Sequence, residues 1–299
     1  MPLGGLRTPS AVLLWPPYPA PALPSRRRVT GLGGIRRVAR RFRTGRPTVV
    51  GMDRRLFLTS LAATVAAGLT ACARDERPKA APLLFPAPKG IVKVPLPHGT
   101  LYQLPGKTKQ IALTVDDGTS AAVVGGYAKL CRDTGLRLSF FCNGVNPGWT
   151  EHATLLRALH DDNRIFLANH TWSHADLTRI SAARVAEQVR RNETFLKNTF
   201  GTLGRPFMRP PYGYTNKKVA AQLADLGYPV VTMWLGTLGD SGKVTPEKVV
   251  ANATKWLQPG RIVIGHANNA AVTRTYGQLV EIIRARKLVP VHLGDVYAV

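Results

Sequence analysis

Short apolar runs alternate with amphipathic segments from residue 110 onward, and this alternation limits the possible folds more than any other feature of the chain. The runs have the length of buried strands, and the segments between them have helical spacing. Such alternation predicts a mainly parallel sheet or a barrel. The predicted strands cover 110–115, 136–142, 164–168, 229–234, 261–265 and 289–292, and the predicted helices cover 121–134, 153–160, 181–200, 217–226, 246–257 and 277–286.

Polar residues that can carry chemistry follow several of these predicted strands. Asp116 and Asp117 end the first strand, His170 and His174 follow the strand over 164–168, and His266 follows the strand over 261–265. In folds of this class the chemistry gathers at the carboxyl ends of the strands. We therefore expect these side chains to meet in one site.

The residue types at these strand ends suit a metal site. One aspartate and two histidines can bind a divalent cation, while the second aspartate stays free as a base. Each motif alone has an ordinary interpretation, because an Asp pair before glycine is usually a turn and two histidines four residues apart often lie on a solvated helical face. Their combination favours the metal site.

Four motifs together carry a family resemblance. They are Thr-Val-Asp-Asp-Gly at 114–118, His-Thr-Trp-Ser-His at 170–174, Arg-Pro-Pro-Tyr-Gly at 209–213 and Ile-Gly-His at 264–266. In this order and at these separations the set resembles the polysaccharide deacetylase family, also called the NodB-homology domain, over about residues 110–299. The resemblance implies a single catalytic domain with a distorted, usually seven-stranded (β/α) barrel, and metal-dependent removal of N- or O-acetyl groups from sugars.

The resemblance also implies a role for each matching residue in the first two motifs. Asp117, His170 and His174 would be the metal ligands, and Asp116 would be the general base. We expect Zn²⁺, with Co²⁺, Ni²⁺ or Mn²⁺ as alternatives, because two imidazoles and a carboxylate leave open positions on Zn²⁺ for water and the acetyl oxygen.

The later motifs would complete the catalytic machinery. By the same resemblance, Arg209 orients the base and His266 is the general acid that protonates the departing amine. Asp240 stands at the spacing of an acid that keeps this histidine protonated. The backbone N–H of Tyr212, presented with the help of Pro211, would stabilise the oxyanion.

The chain departs from the family pattern at several positions near these motifs. Val115 replaces a common phenylalanine, which changes packing rather than chemistry. Ser241 stands where an aromatic residue often follows the acid, so part of the wall of the acetyl pocket differs. Ala267 and then Asn268 and Asn269 follow His266. These departures suggest that the choice of substrate differs from that of better-known members.

The N-terminal part of the chain differs in composition from the rest. Residues 1–51 hold ten arginines, no lysine and no acid, out of a formal net charge of +24. We predict that they are disordered, or are not translated if Met52 is the true start. An arginine-rich arm could bind nucleic acid, but this conflicts with the export signal that follows, so we expect no nucleic-acid partner.

Residues 52–72 have the layout of an export signal. Arg54 and Arg55 resemble the core of a twin-arginine signal, the apolar run over 56–69 is shorter than the about 20 residues of a spanning helix, and Leu-Thr-Ala-Cys at 69–72 resembles a bacterial lipobox. We predict a monomer anchored through lipidated Cys72 to the outer face of the cytoplasmic membrane, or secreted if Cys72 is not lipidated. The proline-rich stretch 73–109 predicts a spacer, with the folded domain beginning near Lys109.

Two pairs of side chains have two interpretations each. Cys131 and Cys142 can form a disulfide if their Cα atoms lie within about 7 Å, although we favour two buried free thiols. Trp149 and Trp256 could stack on sugars, although we favour ordinary packing.

The expected substrate is an acetylated polysaccharide of the cell envelope or a chitin-like polymer. Alternatives are an O-acetyl esterase, a small-amide hydrolase and a glycan-binding lipoprotein without catalysis, although a binder needs neither Asp116 nor His266. The same Asp-His-His set can also hold Fe(II) in an oxygenase, where the segment 209–213 has no role.

Overall fold

A curled parallel sheet forms the centre of the fold in the computed structural model, which describes residues 83–299. Within these residues the chain forms nine strands. They are β1 (Gly99–Leu101), β2 (Gln110–Asp117), β3 (Leu138–Cys142), β4 (Ile165–Asn169), β5 (Phe207–Met208), β6 (Val230–Thr232), β7 (Gly236–Thr237), β8 (Ile262–His266) and β9 (Val289–Pro290). The main sheet has the order β1-β6-β5-β4-β3-β2-β8-β7, and β9 pairs with β2.

Eight α-helices connect the strands in the same part of the chain. They are α1 (Ala121–Thr134), α2 (Gly148–Glu151), α3 (Ala153–Asp161), α4 (Ala182–Phe200), α5 (Lys217–Asp225), α6 (Pro246–Trp256), α7 (Tyr276–Ala285) and α8 (Leu293–Val296). Their ends follow local chemistry. Ser181 caps α4 by accepting from the N–H of Arg184, and α1 ends at Gly135, whose left-handed φ of 78° suits glycine.

The register of the sheet brings distant motifs to one edge. Asp117 is the Cα partner of Cys142, Cys142 that of Asn169, and Asn169 that of Met208. The residues that follow β4 and β5 therefore begin at the same height in the sheet as the end of β2. On the other side of β2, Asp116 is the partner of His266. Because all these pairs are parallel, the carboxyl ends of five strands meet.

These findings confirm the predicted parallel α/β architecture, with each predicted strand and helix present to within a few residues. The sheet of the described residues has nine strands, two more than the seven that the resemblance implies. Sequence reasoning missed β1, β5 and β7 because strands of two or three residues are too short to show a period.

The described part of the predicted spacer, 83–109, is not extended away from the domain. Phe85 and Leu104 are buried in the apolar core, β1 pairs with β6, and Val94 forms a parallel bridge with Tyr297. Prolines separate these anchored residues without preventing their burial, since an edge strand tolerates proline nearby. The folded domain therefore extends beyond the boundary predicted at Lys109.

Other predictions concern residues that the structure does not describe. The extension over 1–51, the export signal over 52–72 with Cys72, and the first part of the spacer lie outside the described residues. Between residues 83 and 299 no helix has both the length and the apolar character needed to cross a membrane. Cys131 and Cys142 are buried free thiols, which is the interpretation that we favoured.

Candidate active site

Three side chains at or after the ends of β2 and β4, two strands that have β3 between them, converge at the carboxyl edge of the sheet. Asp117 Oδ1 lies 3.3 Å from Nε2 of His170 and 3.3 Å from Nε2 of His174. One donor atom from each residue lies within 4.8 Å of the others. The carboxylate oxygen and the two ring nitrogens therefore face a common point.

The chemistry of this group fits a divalent cation. Asp117 Oδ1 is buried, and no described residue donates a hydrogen bond to it. A buried carboxylate oxygen without a donor is costly unless something else compensates its charge. A cation held between this oxygen and two imidazole nitrogens would do so, and two histidines with one carboxylate are a usual catalytic zinc set.

The backbone around the group adopts conformations that residues other than glycine seldom take. Asp117, Thr171, His174 and Tyr212 have positive φ values of 71°, 71°, 57° and 60°. Such angles cost of order 1–3 kcal/mol each and persist only where the surroundings fix them. The segment from His170 to His174 is therefore an irregular loop and not a helical turn.

Buried amides hold this loop in place. Asn143 donates to the backbone carbonyls of His170 and Thr171. The N–H of Thr171 donates to Asn169 Oδ1 at 2.9 Å, and the N–H of His174 donates to Thr171 Oγ1 at 3.1 Å. These bonds stabilise the strained backbone that directs both imidazoles toward Asp117.

The tautomer of His170 follows from its neighbour. Nδ1 lies 2.6 Å from the backbone carbonyl oxygen of Arg209. Since a carbonyl only accepts, Nδ1 carries the proton and donates it. The lone pair of Nε2 is then directed at Asp117 and is available as a ligand, as in many metal-binding histidines.

Electrostatics keep the group in its ligand form. Burial acts to raise the pKa of Asp117, but the protonated forms of His170, which contacts Oδ1, and of the nearby His266 and His174 more than offset this, and the pKa lies well below its ordinary value. Burial, with the neighbouring His170, lowers the pKa of His174 to about 4. At neutral pH the carboxylate is therefore charged and this imidazole is neutral.

Asp116 is held beside this group by a buried arginine. Arg209 Nη1 donates to Asp116 Oδ1 at 2.5 Å and to Thr114 Oγ1 at 2.9 Å. The other nitrogens of the guanidinium donate to the backbone carbonyls of Thr232 and Met233. Both charged side chains are buried, so the ion pair fixes Asp116 while its Oδ2 lies 3.6 Å from Nε2 of His170.

On the far side of β2, His266 pairs with a second buried acid. Nδ1 of His266 lies 3.1 Å from Asp240 Oδ1, and the N–H of His266 donates to Asp240 Oδ2. Burial acts to lower the pKa of His266, but the bond to Asp240 and the charges of Asp117 and Asp116 raise it above its ordinary value. The ring thus favours its protonated form.

The Arg-Pro-Pro-Tyr-Gly segment forms one wall of the site. Pro211 is buried and begins a short 3-10 helix over Pro211–Gly213. Tyr212 is half exposed, and its ring packs edge-on against His174 with 4.4 Å between the ring centroids. The segment thereby contacts the Asp-His-His group directly. Ser241, where an aromatic residue was expected, is exposed.

Three side-chain contacts to Asp117 were not predicted from the sequence, and in one of them Asn146 Nδ2 donates to the backbone carbonyl of Asp117 at 2.9 Å. Trp149 is fully buried and donates from Nε1 to the backbone carbonyl of Asp117 at 2.8 Å, which favours packing over sugar stacking for this residue. Asn268 Nδ2 donates to Asp117 Oδ2 at 2.6 Å. Its place two residues after His266 was the only signal in the sequence.

Comparison with known proteins identifies related sequences. Residues 103–231 match the family model described as polysaccharide deacetylase. A chitin deacetylase of Pestalotiopsis sp is 31% identical over 202 residues, covering 67% of each chain. A peptidoglycan-N-acetylglucosamine deacetylase of Listeria monocytogenes is 32% identical over 166 residues, which are 53% of this chain but only 32% of that protein.

Solved structures share the fold at lower identity. The chitin deacetylase of Colletotrichum lindemuthianum superposes with a TM-score of 0.61 at 21% identity, covering 68% of this chain and 93% of that one. A family 4 carbohydrate esterase pseudoenzyme of Bacillus anthracis superposes with a TM-score of 0.59 at 16% identity, covering 67% and 69%. Catalysis therefore has to be argued from the site, but fold, motifs and relatives agree that the chain belongs to the polysaccharide deacetylase family.

Proposed function

We propose that this chain is a metal-dependent hydrolase that removes N-acetyl groups from a polysaccharide. The observation that carries the proposal is the pairing of Asp116 with His266 across β2 and β8, beside the Asp-His-His group. Each of the two is held by its own buried partner of opposite charge, Arg209 or Asp240. Such a pair supplies a base and an acid on two sides of one reacting centre.

Asp117, His170 and His174 would hold the cation. Zn²⁺ suits this donor set, and Co²⁺, Ni²⁺ or Mn²⁺ are alternatives. When bound, the cation would polarise the acetyl carbonyl and increase the acidity of a water molecule. The protein's own part is to keep His170 in the tautomer that leaves Nε2 free and to hold Asp117 deprotonated.

Asp116 would take the proton of the attacking water. Arg209 pairs with this carboxylate and fixes Oδ1, so Oδ2 is the oxygen that remains directed toward the Asp-His-His group. Orientation of this kind and base catalysis typically contribute about 10²–10⁴-fold in rate. In this scheme Arg209 is a positioning residue for the base.

His266 would protonate the departing amine. An amine anion is a very poor leaving group, so the proton has to be available as the carbon–nitrogen bond breaks. Asp240 holds the ring through Nδ1 and raises its pKa, which leaves Nε2–H as the donor. An amide substrate therefore explains why the site has both His266 as the acid and Asp240 as its partner.

The Tyr212 backbone N–H would stabilise the oxyanion that develops on the acetyl group. Pro211 restricts the backbone before it, and the positive φ of Tyr212 turns the peptide at the wall of the site. Ser241 is expected to leave more room beside the acetyl group than an aromatic residue would.

For the substrate we propose a polymer of N-acetylglucosamine in the cell envelope or a chitin-like polymer. The named relatives act on chitin and on peptidoglycan. Export, lipidation at Cys72, action outside the cell and a monomeric state belong to the same proposal, and they are supported by the sequence pattern over 52–72.

Two other functions predict different results. An O-acetyl esterase would release acetate from sugar esters and leave amides unchanged, since an alcohol leaves without the help that an amine needs. A glycan-binding protein without catalysis would bind metal and polymer but release no acetate. The buried partners of Asp116 and His266 favour catalysis, because a binder gains nothing from them.

The test is acetate release from N-acetylglucosamine oligomers, measured beside an O-acetylated sugar. The wild-type protein should release acetate from the amide, and a chelator or His170→Ala should abolish the release. His160→Ala is the matched control, because its Nδ1 contacts the carbonyl of Ile165 away from the site, and it should retain activity. Activity in folded His170→Ala protein would contradict the mechanism.

A further inference from the structure

The side chain of Asn268 connects the ends of β2 and β8 at Asp117. Its Nδ2 donates to Asp117 Oδ2 at 2.6 Å, and its Oδ1 accepts from Thr119 Oγ1 at 2.8 Å and from the Thr119 N–H at 3.3 Å. Asn268 thus contacts the carboxylate of the Asp-His-His group on the side away from the two imidazoles.

The orientation of this amide is fixed by chemistry. The backbone N–H of Thr119 can only donate, so it requires an oxygen, which places Oδ1 of Asn268 at Thr119. The NH₂ group then has to face Asp117, where the carboxylate can only accept. Both ends of the amide are therefore matched, and a flip would bring oxygen against oxygen at Asp117.

The surrounding backbone reinforces this position. The N–H of Ala267 donates to the carbonyl of Asp116 at 2.9 Å, and the N–H of Ser120 donates to the carbonyl of Ala267 at 3.0 Å. The segments after β2 and β8 are thus joined to each other, and Asn268 is presented from a rigid base rather than from a free loop.

The contact gives the two carboxylate oxygens of Asp117 different partners. Oδ2 is occupied by the amide of Asn268, while Oδ1 has no donor among the described side chains and is directed at Nε2 of His170 and His174. Without Asn268 no side chain in the described part of the chain would donate to Oδ2 and oppose rotation of the carboxylate, and either oxygen, or both, could turn toward the imidazoles.

We propose that Asn268 is a positioning residue that fixes Asp117 as a one-oxygen ligand and thereby sets the affinity of the site for its cation. The inference rests on the proposed function only in taking Asp117, His170 and His174 as the ligands. A single ligand oxygen also leaves more coordination space for water and the acetyl oxygen than a carboxylate bound through both oxygens would.

The test compares Zn²⁺ affinity by competition with a chromophoric chelator. Asn268→Ala should weaken binding about 10–100-fold, the usual cost of removing a hydrogen-bond partner of a metal ligand. Asn268→Leu keeps a similar shape and should weaken it similarly. Asn269→Ala is the matched control, since Asn269 bonds to the Gly242 carbonyl and the Ala271 N–H instead, and it should bind Zn²⁺ like the wild type.

A second readout distinguishes positioning from loss of fold. In the Co²⁺-loaded protein, Asn268→Ala should change the visible absorption bands, which report the coordination of the ion, while circular dichroism stays unchanged. If the wild type binds Zn²⁺ and the Asn268 variants bind it equally well, the inference is overturned and the proposed function stands. If the wild type binds none of Zn²⁺, Co²⁺, Ni²⁺ and Mn²⁺, the proposed function fails as well.

Discussion

The ion pair between Arg209 and Asp116 makes a prediction that can be worked out in energetic terms. Arg209 is fully buried, and Asp116 is only 2% exposed. In Arg209→Met the carboxylate would lose its charge partner inside the protein. Breaking a buried pair by removing one partner typically costs about 3–5 kcal/mol, because the remaining charge is uncompensated.

Arg209→Lys should cost less, for a reason that the contacts make explicit. It keeps a positive charge but loses the guanidinium bonds from Nε and Nη2 to the carbonyls of Thr232 and Met233. At roughly 1 kcal/mol for each bond, the loss is about 2 kcal/mol. The double variant Arg209→Met with Asp116→Asn should be more stable than Arg209→Met alone, because it leaves no unpaired charge.

The assay is urea unfolding of the metal-free protein in chelator, so that metal binding does not contribute to the free energy of unfolding. With a slope of about 2–3 kcal/mol per M urea, Arg209→Met should lower the midpoint by about 1–2.5 M. Arg284→Met is the control, because its pair with Glu281 is exposed and worth about 0–1 kcal/mol. An Arg209→Met variant no less stable than this control would refute the reasoning.

Two further predictions concern the proposed general acid His266 and the backbone at Gly118. Asp240→Asn removes a charge that raises the pKa of His266. Because His266 is active as an acid only when protonated, its activity falls as pH rises through its pKa, so the alkaline limb of the profile of kcat/KM against pH should move to lower pH. An unmoved limb would exclude Asp240 as the partner. Gly118→Ala should destabilise the domain by about 2–4 kcal/mol in urea unfolding, because φ of Gly118 is +91° and the added methyl group would overlap the Trp149 ring. Gly277→Ala is the control and should cause no loss of stability, because the space around Gly277 is open. Equal stabilities of the two variants would contradict this packing.

The sequence predicted those site residues whose position follows from the end of a single strand. Asp116, Asp117, His170 and His266 each follow a buried apolar run, and the parallel arrangement brings such ends together. The contact of Asn268 with Asp117 joins residues 151 positions apart. It depends on the register of β8 against β2, which no single segment of the sequence encodes.

The N-terminal boundary illustrates a second limit. Proline content between 73 and 109 is typical of a spacer, yet Phe85 and Leu104 within it are buried against the domain. An isolated apolar residue in a polar stretch shows no period, so its burial depends on whether a distant surface is there to receive it. That information lies in the tertiary structure.

The division of work between two adjacent aspartates is the central claim, and one paired measurement tests it directly. Metal content and acetate release are measured together for Asp116→Asn and Asp117→Asn. Asp116→Asn should keep about one divalent ion per chain and lose acetate release, since its metal ligands are intact. Asp117→Asn should lose both. An Asp116→Asn protein that loses its metal, or one that still releases acetate at the wild-type rate, would contradict the account.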